Sequence, residues 1–146
     1  MKGGNWSMEI IANAIQTVLA NQNVYFTDTV TCGNCAITHR PGSGLVTIRG
    51  LTDQCRARYK VTFGGNIAIP TGGTVEAISI ALAIEGETLP STTMTVTPAA
   101  VENYFNVFSA VYIDVPKGCC LTISVKNINE QSIEIQNANL IVERVA

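Results

Sequence analysis

The sequence predicts an all-β sandwich, and two patterns lead to that prediction. Residues 55 to 63 alternate without a break, with Cys55, Ala57, Tyr59, Val61 and Phe63 on one side and charged or polar residues on the other. A period of two is the pattern of a strand with one face in a core. Similar alternation recurs through most of the chain, and turn-forming residues interrupt it at the spacing expected of a sandwich or jelly roll.

About ten short strands follow from these patterns. They are predicted at residues 24–30, 36–39, 45–49, 55–63, 66–70, 76–84, 92–97, 106–115, 119–126, 132–136 and 139–145. Gly64 and Gly65 are expected to break the strand that precedes them, because glycine weakens strand interiors. Glu85-Gly86-Glu87 is expected to form a hairpin turn.

The segment from residue 7 to residue 20 is the single helical candidate. Its apolar residues recur at spacings of three and four, and they are Met8, Ile11, Ile15, Val18 and Leu19. Such spacing predicts a helix with one apolar side, and Ser7 is a suitable N-cap. A strand is the alternative, because Ile, Val and Thr are frequent in this segment.

The sequence therefore divides into an N-terminal arm or helix at 1–20 and a β domain at 21–146. A helix of about 14 residues is marginal alone in water, so this one must dock on something. It either folds back on its own sandwich, or it bundles with copies or anchors the domain to a larger assembly. In the second case, Trp6 and the five apolar residues of the segment form the anchor.

The composition limits the classes of function. The chain has 146 residues and a net charge of −2, which provides no electrostatic footprint for nucleic acid. Its strongest apolar run, residues 77–84, is far shorter than the roughly 18 residues of a membrane span. No signal peptide is visible, so we expect synthesis in the cytoplasm and, for any display outside the cell, a route such as lysis.

Charged residues make up only 14% of the chain, against roughly 25% in typical soluble domains. A surface so poor in charge suggests that copies of the chain or a partner cover much of it. The strand at 106–115 supports this idea. Val107, Val111, Ile113 and Val115 line one of its faces or the margin, while Phe108, Ala110 and Tyr112 lie on the other. A strand that is apolar on both faces is covered on both. The second cover is a loop, the N-terminal helix or another subunit, and the two aromatic residues favour another subunit.

The five cysteines are Cys32, Cys35, Cys55, Cys119 and Cys120. Cys32 and Cys35 form a CxxC motif, but a zinc site would need a second ligand pair, and adjacent strand residues such as Cys119 and Cys120 point to opposite faces. No βαβ pattern surrounds the motif, which disfavours a thioredoxin-like role. Buried small side chains and loop thiols are the favoured interpretation, and the odd number leaves room for an intersubunit disulfide.

No catalytic, cofactor or metal site is predicted, so we expect a protein that is not an enzyme. His39 is the single histidine and precedes a turn, and nothing in the sequence places it beside a nucleophile and an acid. The acids are scattered at turns, as Asp53, Glu85 and Glu87 are, and form no pair suited to glycoside hydrolysis. The glycine-rich stretches join strands instead of opening helices, and no Asp-rich loop supports calcium binding.

Four segments resemble the C1q/tumour-necrosis-factor (TNF) jelly roll in its bacterial and phage versions. They are Tyr59-Lys-Val-Thr-Phe63, the hairpin from Val75 to Glu87, Val111-Tyr-Ile-Asp-Val-Pro116, and the last strand from Asn137 to Arg144. The resemblance covers residues 21–146 and implies a two-sheet antiparallel jelly roll. It also implies a homotrimer, in which Tyr104, Phe108 and Tyr112 would meet near the threefold axis.

The sequence also resembles small proteins of this kind in gut Firmicutes and their prophages. That likeness implies a virion surface component, such as a capsid decoration, head fibre or fibre tip, with the arm bound to capsid or other virion proteins. A glycan- or receptor-binding C1q-like module of bacterial origin is the alternative. Asn103, Tyr104, Phe105 and Asn106 form a polar-aromatic cluster suited to a host-surface glycan, although a packed loop or subunit contact is the favoured interpretation of that cluster.

Overall fold

The structure is a computed structural model that describes residues 7–31 and 35–146. These residues form twelve strands and one short 3₁₀ turn, Pro90–Thr92. The strands are β1 (Ser7–Ala12), β2 (Gln16–Val18), β3 (Asp28–Thr31), β4 (Ile37–His39), β5 (Val46–Arg49), β6 (Arg56–Ala68), β7 (Ile78–Ile84), β8 (Glu87–Thr88), β9 (Met94–Val96), β10 (Phe105–Pro116), β11 (Cys120–Asn127) and β12 (Ile133–Arg144).

The strands form two six-stranded antiparallel sheets. Sheet A has the order β10-β6-β12-β1-β3, with β2 paired to β12, and sheet B has the order β4-β5-β11-β7-β8, with β9 paired to β7. Apolar side chains from both sheets meet in one core, in which Phe26, Tyr59 and Phe63 are the largest fully buried residues. The predicted two-sheet antiparallel sandwich is confirmed.

The helix predicted over residues 7–20 is wrong. Residues 7–12 form strand β1, which lies inside sheet A between β12 and β3. Burial alternates along it, with Met8, Ile10 and Ala12 in the core and Ser7 and Ile11 half-buried on the other side. Pairing on both edges gives β1 a hydrogen-bonded ladder within the sheet. An isolated helix of this length would be marginal in water without a partner. No helix long and apolar enough to cross a membrane occurs in the part of the chain that the structure describes.

The break predicted at Gly64-Gly65 is also wrong, because β6 runs through both glycines as a strand of 13 residues. β10 and β12 pair with β6 on its two sides across this point, and Gly64 lies opposite Phe108 and Asn139. The two strands predicted at the end of the chain are likewise one strand, β12. Its register shifts between Gln136 and Asn139, where Asn137 adopts a φ of 54°. This bulge bends the strand without ending it.

The predicted hairpin turn is confirmed. Glu85 and Gly86 both have positive φ, 54° and 84°, and join β7 to β8. A two-residue turn with positive φ at both positions matches the twist of the flanking strands, and Asn, Asp and Gly adopt such φ values most readily. The side chain of Glu85 also accepts a hydrogen bond from the backbone N–H of Thr122 at 2.6 Å, which ties the turn to β11.

Candidate functional site

The surface of sheet A that points away from sheet B carries two exposed aromatic side chains. Phe108 and Tyr112 on β10 are 65% and 62% exposed, although their strand is part of the sheet. Ala110 lies between them on the same face, while Val107, Ile113 and Val115 point into the core. We call Phe108, Ala110 and Tyr112, with their cross-strand neighbours Gly64, Thr62 and Lys60, the aromatic face.

The register of β10 on β6 explains why these rings stand free. Phe108 is opposite Gly64 and Ala110 is opposite Thr62, so small residues flank the ring of Phe108, while Tyr112 is opposite Lys60. The next strand, β12, continues the two rows with Asn139 and Ile141. β10 is the edge strand of sheet A, so no further strand beside it obstructs the approach of a second molecule to the aromatic face.

One end of the aromatic face is closed by a charged cluster. The guanidinium of Arg58 donates to Asp114 through Nε at 2.8 Å and Nη2 at 3.2 Å, and Arg56 Nε lies 3.2 Å from the same carboxylate. The hydrogen bonds from Arg58 hold the pKa of Asp114 below its ordinary value and raise that of Arg58. Because these groups are exposed, their ion pairs add little to the stability of the fold, and their main effect is to orient the side chains.

The other end of the aromatic face carries two carboxyl groups beside Tyr104. The Tyr104 hydroxyl donates to Glu134 Oε1 at 2.9 Å, and Glu102 accepts bonds from the backbone N–H and the hydroxyl of Thr71 at 3.0 and 3.1 Å. Burial raises the pKa of Glu134, and the hydrogen bond between the two carboxyls lowers that of Glu102. Burial and the bond to Glu134 raise the pKa of Tyr104 to about 12.

No protein-family model matches the chain, and none of the curated protein sequences matches it. Solved structures do match. Eiger TNF from S. frugiperda superimposes with a TM-score of 0.68 at 17% identity, over 96% of this chain and 92% of that one. Murine APRIL gives 0.65 at 13% identity, over 94% and 97%. The globular domain of zebrafish complement 1qA gives 0.57 at 12% identity, over 92% and 94%.

The fold is a TNF/C1q-like jelly roll. At these identities the likeness shows the fold alone, because one fold hosts many functions. The resemblance inferred from the four sequence segments is confirmed at the level of fold.

The three aromatic residues predicted for a subunit interface lie along this side of the jelly roll in different environments. Phe108 and Tyr112 are exposed on the aromatic face. Tyr104 precedes β10, is half-buried, and reaches Glu134 on β12, which lies beyond β6. Their role in an interface stays a prediction. Sequence reasoning missed Glu102 and Glu134; Glu102 is close to Tyr104 in the chain, but only the pairing of β12 with β6 brings Glu134 to it.

The residues predicted for an anchor do not share one face of the jelly roll. Met8 and Val18 are buried in the core, and Ile11 is half-buried on the outer side of sheet A. Ile15 and Leu19 are 52% and 60% exposed. Trp6 lies outside the described residues. Binding of a further protein by the exposed members stays a prediction, but an anchor formed by all of them as one helix face is excluded by the strand.

The polar-aromatic cluster proposed for a glycan is partly occupied by contacts within the chain. Asn106 Nδ2 donates to the carbonyl of Gly65 at 3.3 Å and to Asn66 Oδ1 at 3.2 Å, and the Tyr104 hydroxyl is bound to Glu134. Phe105 is 39% exposed at the start of β10. These contacts favour a structural role for the two polar groups.

The single histidine makes contacts that explain its position without catalysis. His39 Nε2 lies 2.8 Å from the carbonyl oxygen of Ser43, and the ring packs edge-on against Phe26 at a centroid distance of 6.4 Å. Within residues 7–31 and 35–146, no three His, Cys, Asp or Glu side chains converge in a way that could hold a metal ion. Cys35, Cys55, Cys119 and Cys120 are free and exposed, and Cys32 lies outside the described residues.

Proposed function

We propose that the protein is a non-enzymatic jelly-roll module that associates with copies of itself as a homotrimer through the aromatic face. The observation that carries this proposal is the exposure of Phe108 and Tyr112 on β10, an edge strand that pairs with β6 along its whole length. Two large rings in water cost free energy that burial against a second subunit recovers. Aromatic residues are also enriched at the centres of protein interfaces.

The charges around the aromatic face suit a copy of the same chain as the partner. Lys60 and Glu143 are opposite each other in neighbouring strands beside Tyr112, and the cluster of Arg58 with Asp114 follows. Both signs of charge therefore occur within a short distance, so this face carries no excess of a single sign that would repel a copy of itself. A strongly basic or acidic partner would gain no net attraction on this face.

We base the proposed absence of an enzymatic function on the contacts that the polar residues make. His39 is bound to a backbone oxygen and a phenyl ring, and the pair of Glu102 and Glu134 is engaged by Thr71 and Tyr104. A general base must reach the proton of a substrate, and the nitrogen of His39 that has no hydrogen-bond partner, Nδ1, is buried.

The mass of the protein in solution, measured by light scattering with and without reductant, tests the trimer. We expect a mass three times that of the chain in both conditions. Tyr112→Thr should lower that mass at micromolar protein, while Leu45→Thr, which removes a similarly exposed apolar side chain beside β5 in sheet B, should not. A wild-type chain that is monomeric at all concentrations would contradict the proposal.

The finer proposal is that this module is displayed on a virion surface. Its support is the sequence resemblance to small prophage proteins and the low content of charge, which fits an assembling component. Quantitative proteomics of purified particles tests it, because a structural component is present at many copies per particle. Absence from particles, combined with binding to host glycans that Tyr104→Ala abolishes, would favour the C1q-like binding module instead.

A further inference from the structure

Four exposed cysteines gather at one end of the jelly roll, and nothing in the proposed assembly uses them. Cys120 is the cross-strand partner of Arg49, and the N–H of Gly50 donates to the carbonyl of Cys119 at 2.9 Å. The guanidinium of Arg49 donates through Nη1 to the carbonyl of Cys35 at 3.0 Å. The N–H of Lys117 donates to the carbonyl of Cys55 at 3.0 Å, just beyond the paired ends of β6 and β10. We call Cys35, Cys55, Cys119 and Cys120 the thiol end.

Arg49 is the centre of this arrangement, because it has a cysteine on each side. Its neighbour in β11 is Cys120, and cross-strand neighbours in an antiparallel pair have Cβ atoms about 5 Å apart. On the other side its guanidinium reaches the backbone of Cys35 and also donates to the hydroxyl of Thr38 at 3.1 Å. Both acceptors are neutral oxygens, so these bonds leave the positive charge of Arg49 uncompensated.

Further cations surround the thiol end. Arg144 Nη1 donates to the carbonyl of Leu51 at 2.8 Å, one residue after Gly50, and Lys117 is the residue paired with Cys55. Arg56 is also near, but its charge is balanced by Asp114. The acid that adjoins this end is Asp53, on the loop between β5 and β6. Arg144 Nε also donates to the oxygen of Ala146 at 3.1 Å, so the cations that count here are Arg49 and Lys117, which outnumber Asp53 although the whole chain carries a net charge of −2.

An open pocket adjoins the thiols and provides room for a small molecule. Its volume is about 490 Å³, and the loop residues 51–54, which lie between Gly50 and Cys55, form one of its walls. Arg144 lines the pocket as well. Asp53 also lines it, so the pocket supplies room for a small molecule, and the attraction of an anion depends on the cations nearer the thiols, Arg49 and Lys117.

We propose that the thiol end is a site of thiol–disulfide exchange with anionic low-molecular-weight disulfides of the glutathione class, and that Cys35 and Cys120 on the two sides of Arg49 are the reacting residues. In this exchange the cysteine sulfur attacks one sulfur of the disulfide. One S–S bond forms between the cysteine and a glutathionyl group as the original S–S bond breaks. The proton of the cysteine passes to the departing thiolate, which leaves as free glutathione; the disulfide is the oxidant, since its departing sulfur is reduced as the cysteine sulfur is oxidised.

The reason for the preference is electrostatic. An excess of one sign of charge raises the local concentration of the opposite charge and speeds association by roughly 10-fold or more. The cations near Cys35 and Cys120 should attract an anionic disulfide and repel a cationic one of similar reactivity. The effect should weaken at high salt, because exposed charges are screened over about 8 Å at physiological ionic strength.

The test compares three disulfides on the reduced full-length protein: glutathione disulfide, which is anionic, 2-hydroxyethyl disulfide, which is neutral, and cystamine, which is cationic. Adduct formation is followed by intact-mass spectrometry and mapped to individual cysteines by peptide analysis. We expect Cys35 and Cys120 to react roughly 10-fold faster with glutathione disulfide than with cystamine at low salt. The same ratio measured on the unfolded chain corrects for the intrinsic reactivity of each reagent.

Substitutions of Arg49 separate charge from structure. Arg49→Gln should reduce the anionic preference severalfold, and Arg49→Lys should keep it. Lys126→Gln removes the same charge at the opposite end of β11 and should leave the preference unchanged. If Arg49→Gln fails to fold, Arg49→Lys and the salt series on the wild type still decide the question. Equal rates for the cationic and anionic disulfides at Cys35 and Cys120, or adducts confined to other cysteines, would overturn the proposal.

Discussion

Replacing Phe108 by threonine should shift the assembly of the protein to much higher concentration. Threonine suits an exposed strand position, and the substitution leaves the backbone pairing of β10 with β6 intact. The expected change therefore comes from the lost ring alone. It concerns the association of subunits and leaves the fold of each subunit unchanged.

The magnitude follows from the exposed area of the ring. A phenylalanine side chain offers roughly 200 Å² for burial, and 65% of Phe108 is exposed in the isolated chain. About 130 Å² thus becomes available to a neighbouring subunit, worth about 3 kcal/mol at 25 cal/mol per Å². Three copies of the ring contribute about 10 kcal/mol to a trimer. Since 1.4 kcal/mol is a factor of ten, the dissociation constant of the trimer should rise by about 10⁷.

The midpoint concentration of a monomer–trimer equilibrium varies as the square root of that constant, so it should rise by about 10³. Sedimentation equilibrium or light scattering over a dilution series measures this midpoint, and circular dichroism verifies that the variant is folded. Leu45→Thr is the matched control on sheet B and should leave the midpoint within a few-fold of the wild type. A folded Phe108→Thr variant with the wild-type dilution curve would refute an interface centred on the aromatic face.

Three further predictions concern the stability of the single chain. Thr92→Val leaves a buried backbone amide of β7 without its hydroxyl acceptor, so unfolding in urea should show a loss of about 1–3 kcal/mol that Thr92→Ser largely avoids. Gly50→Ala places a Cβ 2.2 Å from the carbonyl oxygen of Pro116 and should lower the free energy of unfolding by about 1–3 kcal/mol. Gly64→Ala, whose Cβ would lie 4.0 Å from its nearest contact, should be tolerated. Equal urea midpoints for the two variants would contradict this prediction. The pKa of Tyr104 is about 12 in the folded chain against an ordinary 10.0, so the unfolded chain ionises first as pH rises. The stability of the fold should therefore decrease between these two pH values. Tyr104→Phe should show a smaller decrease of the thermal midpoint over the same range.

Strict alternation was sufficient to predict those elements in which one face is buried and one is not. Residues 55–63 became the first part of β6, and the alternating faces predicted for β10 are confirmed, with Ile113 in the core and Phe108 and Tyr112 outside. The aromatic face could be predicted for the same reason, since a period of two assigns each side chain of a strand to a face. The sequence pattern alone contained that information.

The errors arose where tertiary pairing overrode local preference. Residues 7–12 satisfy a helical spacing and a strand alternation equally well, and the places open beside β12 and β3 decide for the strand. Gly64 and Gly65 weaken an isolated strand, but neighbours on both sides of β6 hold them in the ladder. The contact of Tyr104 with Glu134 depends on the order of strands in sheet A, which local patterns do not encode.

The position of the first and last strands inside sheet A has a consequence for the kinetics of folding. β1 pairs with β12, so Ser7 lies opposite Glu143, although nearly the whole sequence separates the two residues. Sheet A has a gap at its centre until the final strand has left the ribosome, and β6 lacks its second neighbour for the same time. Contacts so distant in sequence make folding slow, and the unpaired strand edges invite association of unfinished chains. Nascent chains of this protein should therefore depend on chaperones that shield strand edges until synthesis is complete.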